Sequence, residues 1–463
     1  MLTMKFGGTS VGDVQRLQEV VAIVKQFKRE QPVVVASAMG GITNVLLDTA
    51  QKAVDRKTGE VNNAVAAIRE RHLQIANAMI QDYPRRAVLI QEQQDLIDEL
   101  ENFYRGVGLL RELSSRSLDA IAAFGELLSC RQIAAVLEEN DIPSQFIDAR
   151  TIIRTDDTFG EAAIDFPYSN AKINETLTPL AKNGIVPVVT GFIASTEDGI
   201  TTTIGRSGSD YTGSVVGAAV NSKEIWIWTD VDGVMTADPR NVTGAKVLNE
   251  ISYREAAEMS YFGAKVIHPK TMVPAIEKKI PIRIKNTFNP AHPGTLISAK
   301  PDNGGASAKT VTSIDHLAII AIEGNGMIGV PGVSGRIFTA LARAQVNVMM
   351  ISQASSEHNV CIIVPRKDCA HGVKTLREEF SIDIARKIID DIVMKEPVSI
   401  IAVVGEGMIG SKGIAGKTFD AVAKADINII AIAQGSSELN ISFVVEQNEA
   451  KKAVQAVHDA FHL

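Results

Sequence analysis

Cysteine, aromatic residues and surplus positive charge are all scarce in this chain, and each scarcity excludes something. Cysteine occurs three times in 463 residues, at Cys130, Cys361 and Cys369. An odd count without regular spacing argues against a disulfide framework or a zinc site. It points to a reduced, cytoplasmic protein. Aromatic residues make up 5%, too few for a platform on which bases stack. Lys and Arg number 47 against 54 Asp and Glu, a net charge of −7, whereas a nucleic-acid binder normally carries a basic excess. The N-terminus lacks the charged and then apolar segments of a leader peptide. No uncharged apolar run reaches the roughly 18 residues that a membrane span requires. What remains is the balance of a soluble globular protein, 45% hydrophobic and 22% charged, with a length that allows about three domains.

Three blocks follow along the chain. Residues 1–297 alternate short apolar runs with helical stretches. Val33–Ala36, Val186–Val189 and Ile225–Trp228 are short, β-branched or aromatic, and read as buried strands. Such alternation predicts a mostly parallel sheet with helices on both faces. A charged helical stretch runs from about Asn62 to Glu138. Residues 298–312, SAKPDNGGASAKTVT, read as a linker.

The remainder is an internal repeat. GNGMIG at 324–329 recurs as GEGMIG at 405–410, an offset of 81 residues that holds without a gap. Gln353 maps to Gln434, and Ser355-Ser356-Glu357 to Ser436-Ser437-Glu438. The period exceeds that of solenoids, so residues 313–396 and 397–463 are expected to form two small domains. The first has room for a further strand near Asp391–Lys395. The second ends without it, which predicts an open sheet edge and hence a pairing partner. Both repeats fit G-x-G-x-x-G, but the next strands end in Gln353 and Gln434, not in the acidic residue that holds a ribose, so dinucleotide binding is not expected. GIAGKT (413–418) lacks the upstream glycine of a phosphate loop.

Chemistry is plausible elsewhere. Lys5-Phe6-Gly7-Gly8-Thr9-Ser10 ends the first strand ahead of a helix starting near Asp13. Glycines admit close backbone approach, a helix N-terminus favours an anion, and Lys5 adds a cation. GRSGSD (205–210) supplies Arg206, suited to bidentate carboxylate binding, and Asp210. Thr229-Asp230 follows a strand, where open α/β sheets bind ligands. Phe124-Gly125-Glu126 and Ser37-Ala38-Met39 are weaker alone. His72, His268 and His371 show no metal-ligand spacing.

Taken together, KFGGTSV, SAMGGITN, FGELLS, VVTGFIAS, GRSGSDYT, WTDVDGVMTADPR, YFGAKVIHPKT and IKNTFNP resemble the aspartokinases of the amino-acid kinase family. The repeat is similar to their tandem ACT regulatory domains. The resemblance implies a three-layer αβα amino-acid kinase fold followed by two ferredoxin-like α+β ACT domains. It implies ATP- and Mg²⁺-dependent phosphorylation of the β-carboxylate of L-aspartate, the entry to lysine, threonine, methionine and isoleucine synthesis. Carried over by motif, Lys5, Gly7 and Gly8 would hold the ATP phosphates, with Asp210 beside Lys5 at the reacting centre. Thr43, Glu126, Arg206 and Ser209 would bind aspartate. Thr229, Asp230, Arg240 and Lys265 would contact ATP, as would Met235, which stands where the family often has tyrosine. Gln353 and Gln434 would contact an amino-acid effector. The Q-x-S-S-E pattern looks more like threonine-sensitive members than lysine-sensitive ones. A homodimer or dimer of dimers through the ACT domains is implied. The chain ends at Leu463, and a monofunctional kinase without a dehydrogenase domain is the expectation.

Overall fold

The computed structural model describes residues 1–263, 267–301, 307–353 and 358–463. They form two compact units. The first comprises Met1–Val234, Asn249–Tyr253 and Val266–Pro301; the second comprises Met235–Leu248, Arg254–Lys265 and Asp302–Leu463.

The first unit is built on an eight-stranded sheet. Its strands are β1 (Leu2–Phe6), β2 (Pro32–Ala36), β3 (Ser144–Ile147), β4 (Val186–Thr190), β7 (Ile225–Thr229), β8 (Glu250–Ser252), β9 (Ile282–Asn286) and β10 (Thr295–Ser298). A separate hairpin holds β5 (Ile193–Ser195) and β6 (Thr201–Thr203). The order in the large sheet is β3-β4-β2-β1-β7-β9-β10-β8. All neighbours run parallel except β9 and β10. Every residue of β1, β2 and β4 is buried, as continuous apolar strands covered on both faces must be. The predicted helical stretch is three long helices, Thr58–Met79, Tyr83–Leu110 and Ser115–Glu139. The last is long and apolar enough to cross a membrane by length and composition, but 83% of its most apolar stretch is buried inside the protein. It is a core helix, and its N-terminus is capped by Ser114, whose hydroxyl oxygen accepts from Ser117 N–H.

The second unit carries a six-stranded antiparallel sheet of β11 (Thr310–Glu323), β12 (Met350–Gln353), β13 (Asn359–Pro365), β14 (Asp391–Val404), β15 (Ala431–Ala433) and β16 (Asn440–Glu446), in the order β12-β13-β11-β14-β16-β15. Two sequence expectations are corrected here. Residues 310–312 are not linker: they belong to β11, whose Thr310–Ile314 pairs with Ile400–Val404. That pairing gives the second repeat the strand it lacks at its own end. The first repeat is completed by Asp391–Lys395 of β14, facing Ile319–Glu323. The predicted open edge is therefore filled from within the chain, by Thr310–Ile314 at the start of β11. The division at residue 297 also shifts. Residues 235–248 belong to the second unit because Ala237 and Val242 pack into the core of the second repeat. Thr310 Oγ1 and Val311 N–H also donate to the carbonyl of Thr236.

Candidate active site

The carboxyl ends of β1, β2, β4 and β7 lie side by side in the parallel part of the first sheet, the position where such sheets bind ligands. Lys5 lies on β1, and its Nζ meets Asp210 Oδ1 at 2.5 Å, with the two side chains 9% and 17% exposed. Asp210 sits in the first turn of the helix Gly208–Ala219. That helix can approach because Gly213 faces the Lys5 stem, where a Cβ would lie 3.1 Å from Lys5 Cβ. The chain leaves β1 through Gly7, whose N–H donates to Trp228 O. A methyl group on Gly8 would stand 2.7 Å from the Ala38 carbonyl oxygen, so two backbone loops meet where no side chain fits. Gly40 N–H donates to Gly8 O at 2.9 Å and joins the loops.

A cleft of about 720 Å³ opens beside this junction. Lys5, Gly8, Thr43, Glu126, Arg206, Ser209 and Asp210 all line it. The structure thus brings together residues more than 200 positions apart in sequence. Glu126 is 3% exposed. Its Oε1 accepts from Ala38 N–H at 3.1 Å, while Oε2 is buried without a partner. Burial pushes its carboxyl up to about 8, against the pull of the Ala38 N–H and the Lys5 charge. A carboxylate buried with one free oxygen is costly unless a ligand supplies the missing donor.

Thr229 and Asp230 lie at the end of β7, next to the Gly7 loop, and Thr229 Oγ1 donates to Asp230 at 3.2 Å. Met235 and Arg240 belong to the second unit. There the Met235 carbonyl accepts from Thr310 Oγ1, and the Arg240 guanidinium folds back on Asp238 at 2.6 Å with its side chain 78% exposed. Lys265 lies outside the described residues, as do Ser355, Ser356 and Glu357.

Sequence reasoning missed two residues that build the cleft. Arg71 donates to both Gly12 O and Gly40 O, gripping the two glycine loops together. Asp119 lines the cleft and accepts three hydrogen bonds from segments 41 and 84 residues away. The only local signal was its place seven residues, two helical turns, before Glu126.

In the second unit, Gln353 ends β12 and lines a pocket of about 290 Å³ with the loop Met327–Gly335. Gln434 follows β15 at the equivalent place in the second repeat. Ser352 Oγ donates to Ile432 O at 2.9 Å, so the two edge strands approach each other.

A parallel sheet with glycine loops and a Lys–Asp pair at its carboxyl edge is an arrangement suited to an anionic small-molecule ligand, and the comparisons give the family. The model of the amino acid kinase family matches residues 1–286, and that of the ACT domain matches 320–380 and 401–461. The chain belongs to the amino acid kinase family, within which its relatives are aspartokinases. It is 38% identical over 99% of its length to the bifunctional aspartokinase/homoserine dehydrogenase 1 of Arabidopsis thaliana, covering 51% of that protein. It is 34% identical to aspartokinase 3 of the same plant, over 99% of this chain and 81% of that one. Aspartokinase III of E. coli, solved with aspartate and ADP, superposes with a TM-score of 0.82 at 29% identity, over 100% of both chains. The chain spans about half the length of the bifunctional relatives it matches.

Proposed function

We propose that the chain transfers the γ-phosphoryl group of ATP to the β-carboxylate of L-aspartate, giving 4-phospho-L-aspartate and ADP. The observation that carries this reading is the buried, unpaired Glu126 Oε2 in a cleft that also holds Arg206 and the Lys5–Asp210 pair. Glu126 accepts the substrate ammonium, and Arg206 forks onto the α-carboxylate. Thr43 and Ser209 add hydroxyls to the same grip. The two-point hold leaves the β-carboxylate as the free end. The aspartate bound in the E. coli relative supports this substrate class.

The nucleophile is a carboxylate ionised at neutral pH, so no general base is required. Its oxygen bonds to the γ-phosphorus as the bond to the bridging oxygen breaks, and ADP leaves with that electron pair. The enzyme's task is to bring two anions together. Lys5, held by Asp210, places a cation where negative charge accumulates, and Gly7 and Gly8 let phosphate oxygens reach backbone. Thr229 and Asp230 take the nucleotide at the end of β7. Of the other expected nucleotide contacts, Met235 and Arg240 lie in the second unit and Lys265 outside the described residues. Mg²⁺, when bound with the nucleotide, would supply neutralisation of the phosphate charge.

The ACT repeats bind an amino-acid effector at Gln353 and Gln434, with threonine favoured over lysine. A Gln side chain both donates and accepts, as a small hydroxyl amino acid requires. A homodimer, or a dimer of dimers, forms through this unit. Ile351 and Ile432 support the interface: they are equivalent residues on the two edge strands, and each is 44% exposed. The reading is tested by ADP release with aspartate, with glutamate as control, and then with threonine or lysine added. Turnover with aspartate and inhibition by threonine are expected. Equal turnover of glutamate contradicts the substrate assignment, and inhibition by lysine alone contradicts the effector.

A further inference from the structure

We propose that Asp119 is a positioning residue that sets the distance between the two halves of the aspartate grip. Asp119 and Glu126 stand on the same helix, Ser115–Glu139. The Asp119 carboxylate is 3% exposed and is fully engaged. Its Oδ2 accepts from Gly160 N–H at 2.9 Å and from Thr203 N–H at 2.8 Å, and its Oδ1 accepts from Thr203 Oγ1 at 2.8 Å. Thr203 ends β6, three residues before Arg206.

The segment that Asp119 holds is a packed block. Ala162 N–H donates back to Thr203 O at 3.0 Å, and a Cβ on Gly205 would lie 3.2 Å from Glu161 Cγ. Tying Thr203 to the helix therefore ties Arg206 to Glu126. An α-amino acid presents its ammonium and carboxylate on one carbon, so the acceptor and the guanidinium must stand at a fixed separation. Among the described residues, the hydrogen bonds that join Gly160 and Thr203 to this helix all end on the Asp119 carboxylate, and all three donors are neutral. Its role is geometric, and the substrate charge falls to Glu126 and Arg206.

The chemistry of asparagine provides the test. In Asp119→Asn the new amide oxygen can accept both N–H bonds, and the NH₂ can donate to the Thr203 hydroxyl, which accepts as readily as it donates. Alanine leaves both N–H groups without a partner. The experiment compares wild-type, Asp119→Ala and Asp119→Asn for aspartate KM, ATP KM, and inhibition by succinate, which lacks the ammonium. Asp119→Ala should raise the aspartate KM about 10- to 100-fold, as a misplaced contact does. The ATP KM should stay within about twofold and succinate inhibition should change little, since succinate never used both halves of the grip. Asp119→Asn should restore the aspartate KM to within about threefold of wild-type. Thr203→Val, which removes only the hydroxyl bond, should fall between and serves if the alanine variant does not fold. The inference rests on aspartate being the substrate. Absence of aspartate turnover in the wild-type protein refutes that reading itself. With an active wild-type, two results overturn the inference alone: an unchanged aspartate KM in both Asp119→Ala and Thr203→Val, or an asparagine variant as impaired as the alanine one.

Discussion

The unpaired oxygen of Glu126 makes aspartate binding depend on pH to an extent that can be worked out. The carboxyl is pushed up to about 8 by burial, yet the substrate ammonium gains only from its ionised form. At pH 7 the empty site is then neutral in about nine molecules of ten. Apparent affinity is reduced by one plus ten to the power of the difference between pKa and pH. That factor is about 100 at pH 6, about 11 at pH 7 and about 2 at pH 8. The aspartate KM should accordingly fall about ninefold from pH 6 to pH 7 and about fivefold more by pH 8. Binding at pH 7 should release protons, up to one per aspartate. Calorimetric titration in buffers of different ionisation enthalpy reads that proton count directly. Glu126→Gln should raise the KM and remove the slope. A flat KM between pH 6 and 8, or no proton release, would refute the placement of the ammonium on Glu126. The same shift acts on the fold. A carboxyl whose folded value lies above its ordinary 4.5 favours the folded state below that pH, and stability is lost as pH rises through about 8. At pH 8, without substrate, Glu126→Gln should therefore melt above wild-type.

Other perturbations probe the rest of the cleft. Lys5→Ala should lower kcat by about 100-fold or more in protein that remains folded, since the lost cation acts on the developing charge; a loss of only a few-fold removes Lys5 from the reacting centre. Arg206→Lys should raise the aspartate KM about tenfold at nearly constant kcat, because lysine cannot form the fork; an unchanged KM contradicts the α-carboxylate assignment. Gly8→Ala brings a Cβ within 2.7 Å of Ala38 O and should lower turnover and raise the ATP KM. Wild-type ATP kinetics in that variant would show that the loop junction is not the phosphate site.

How much was legible in the sequence follows from how local each feature is. The strands at Val33, Val186 and Ile225 were legible because continuous apolar runs bounded by polar residues specify buried parallel strands. Lys5 and Asp210 stood out because each lies beside a glycine-bearing loop, Lys5 at the end of β1 and Asp210 in the first helical turn. Asp119 did not, since its three donors lie on distant segments and a lone acidic residue in a helix is usually solvated. The glycines of the two GxGxxG segments show the converse. A Cβ on Gly324 would come within 2.4 Å of Ile388 O, and one on Gly405 within 2.8 Å of Ser307 O, so close chain packing accounts for them. The strand near Asp391–Lys395 was legible, but the one that β11 supplies to the second repeat was hidden. Residues 310–314, TVTSI, are short and mostly polar, so only tertiary pairing identifies them as a strand.

The central claim is that the cleft phosphorylates the side-chain carboxylate of aspartate, and the most direct measurement captures that product. Acyl phosphates react with hydroxylamine, so the protein is incubated with ATP, Mg²⁺, L-aspartate and hydroxylamine, and the hydroxamate is identified by mass and compared with ADP. The account predicts the β-hydroxamate of aspartate in equal amount to ADP, and none when glutamate replaces aspartate. ADP formed without hydroxamate, or an equal yield of the glutamate derivative, would contradict it.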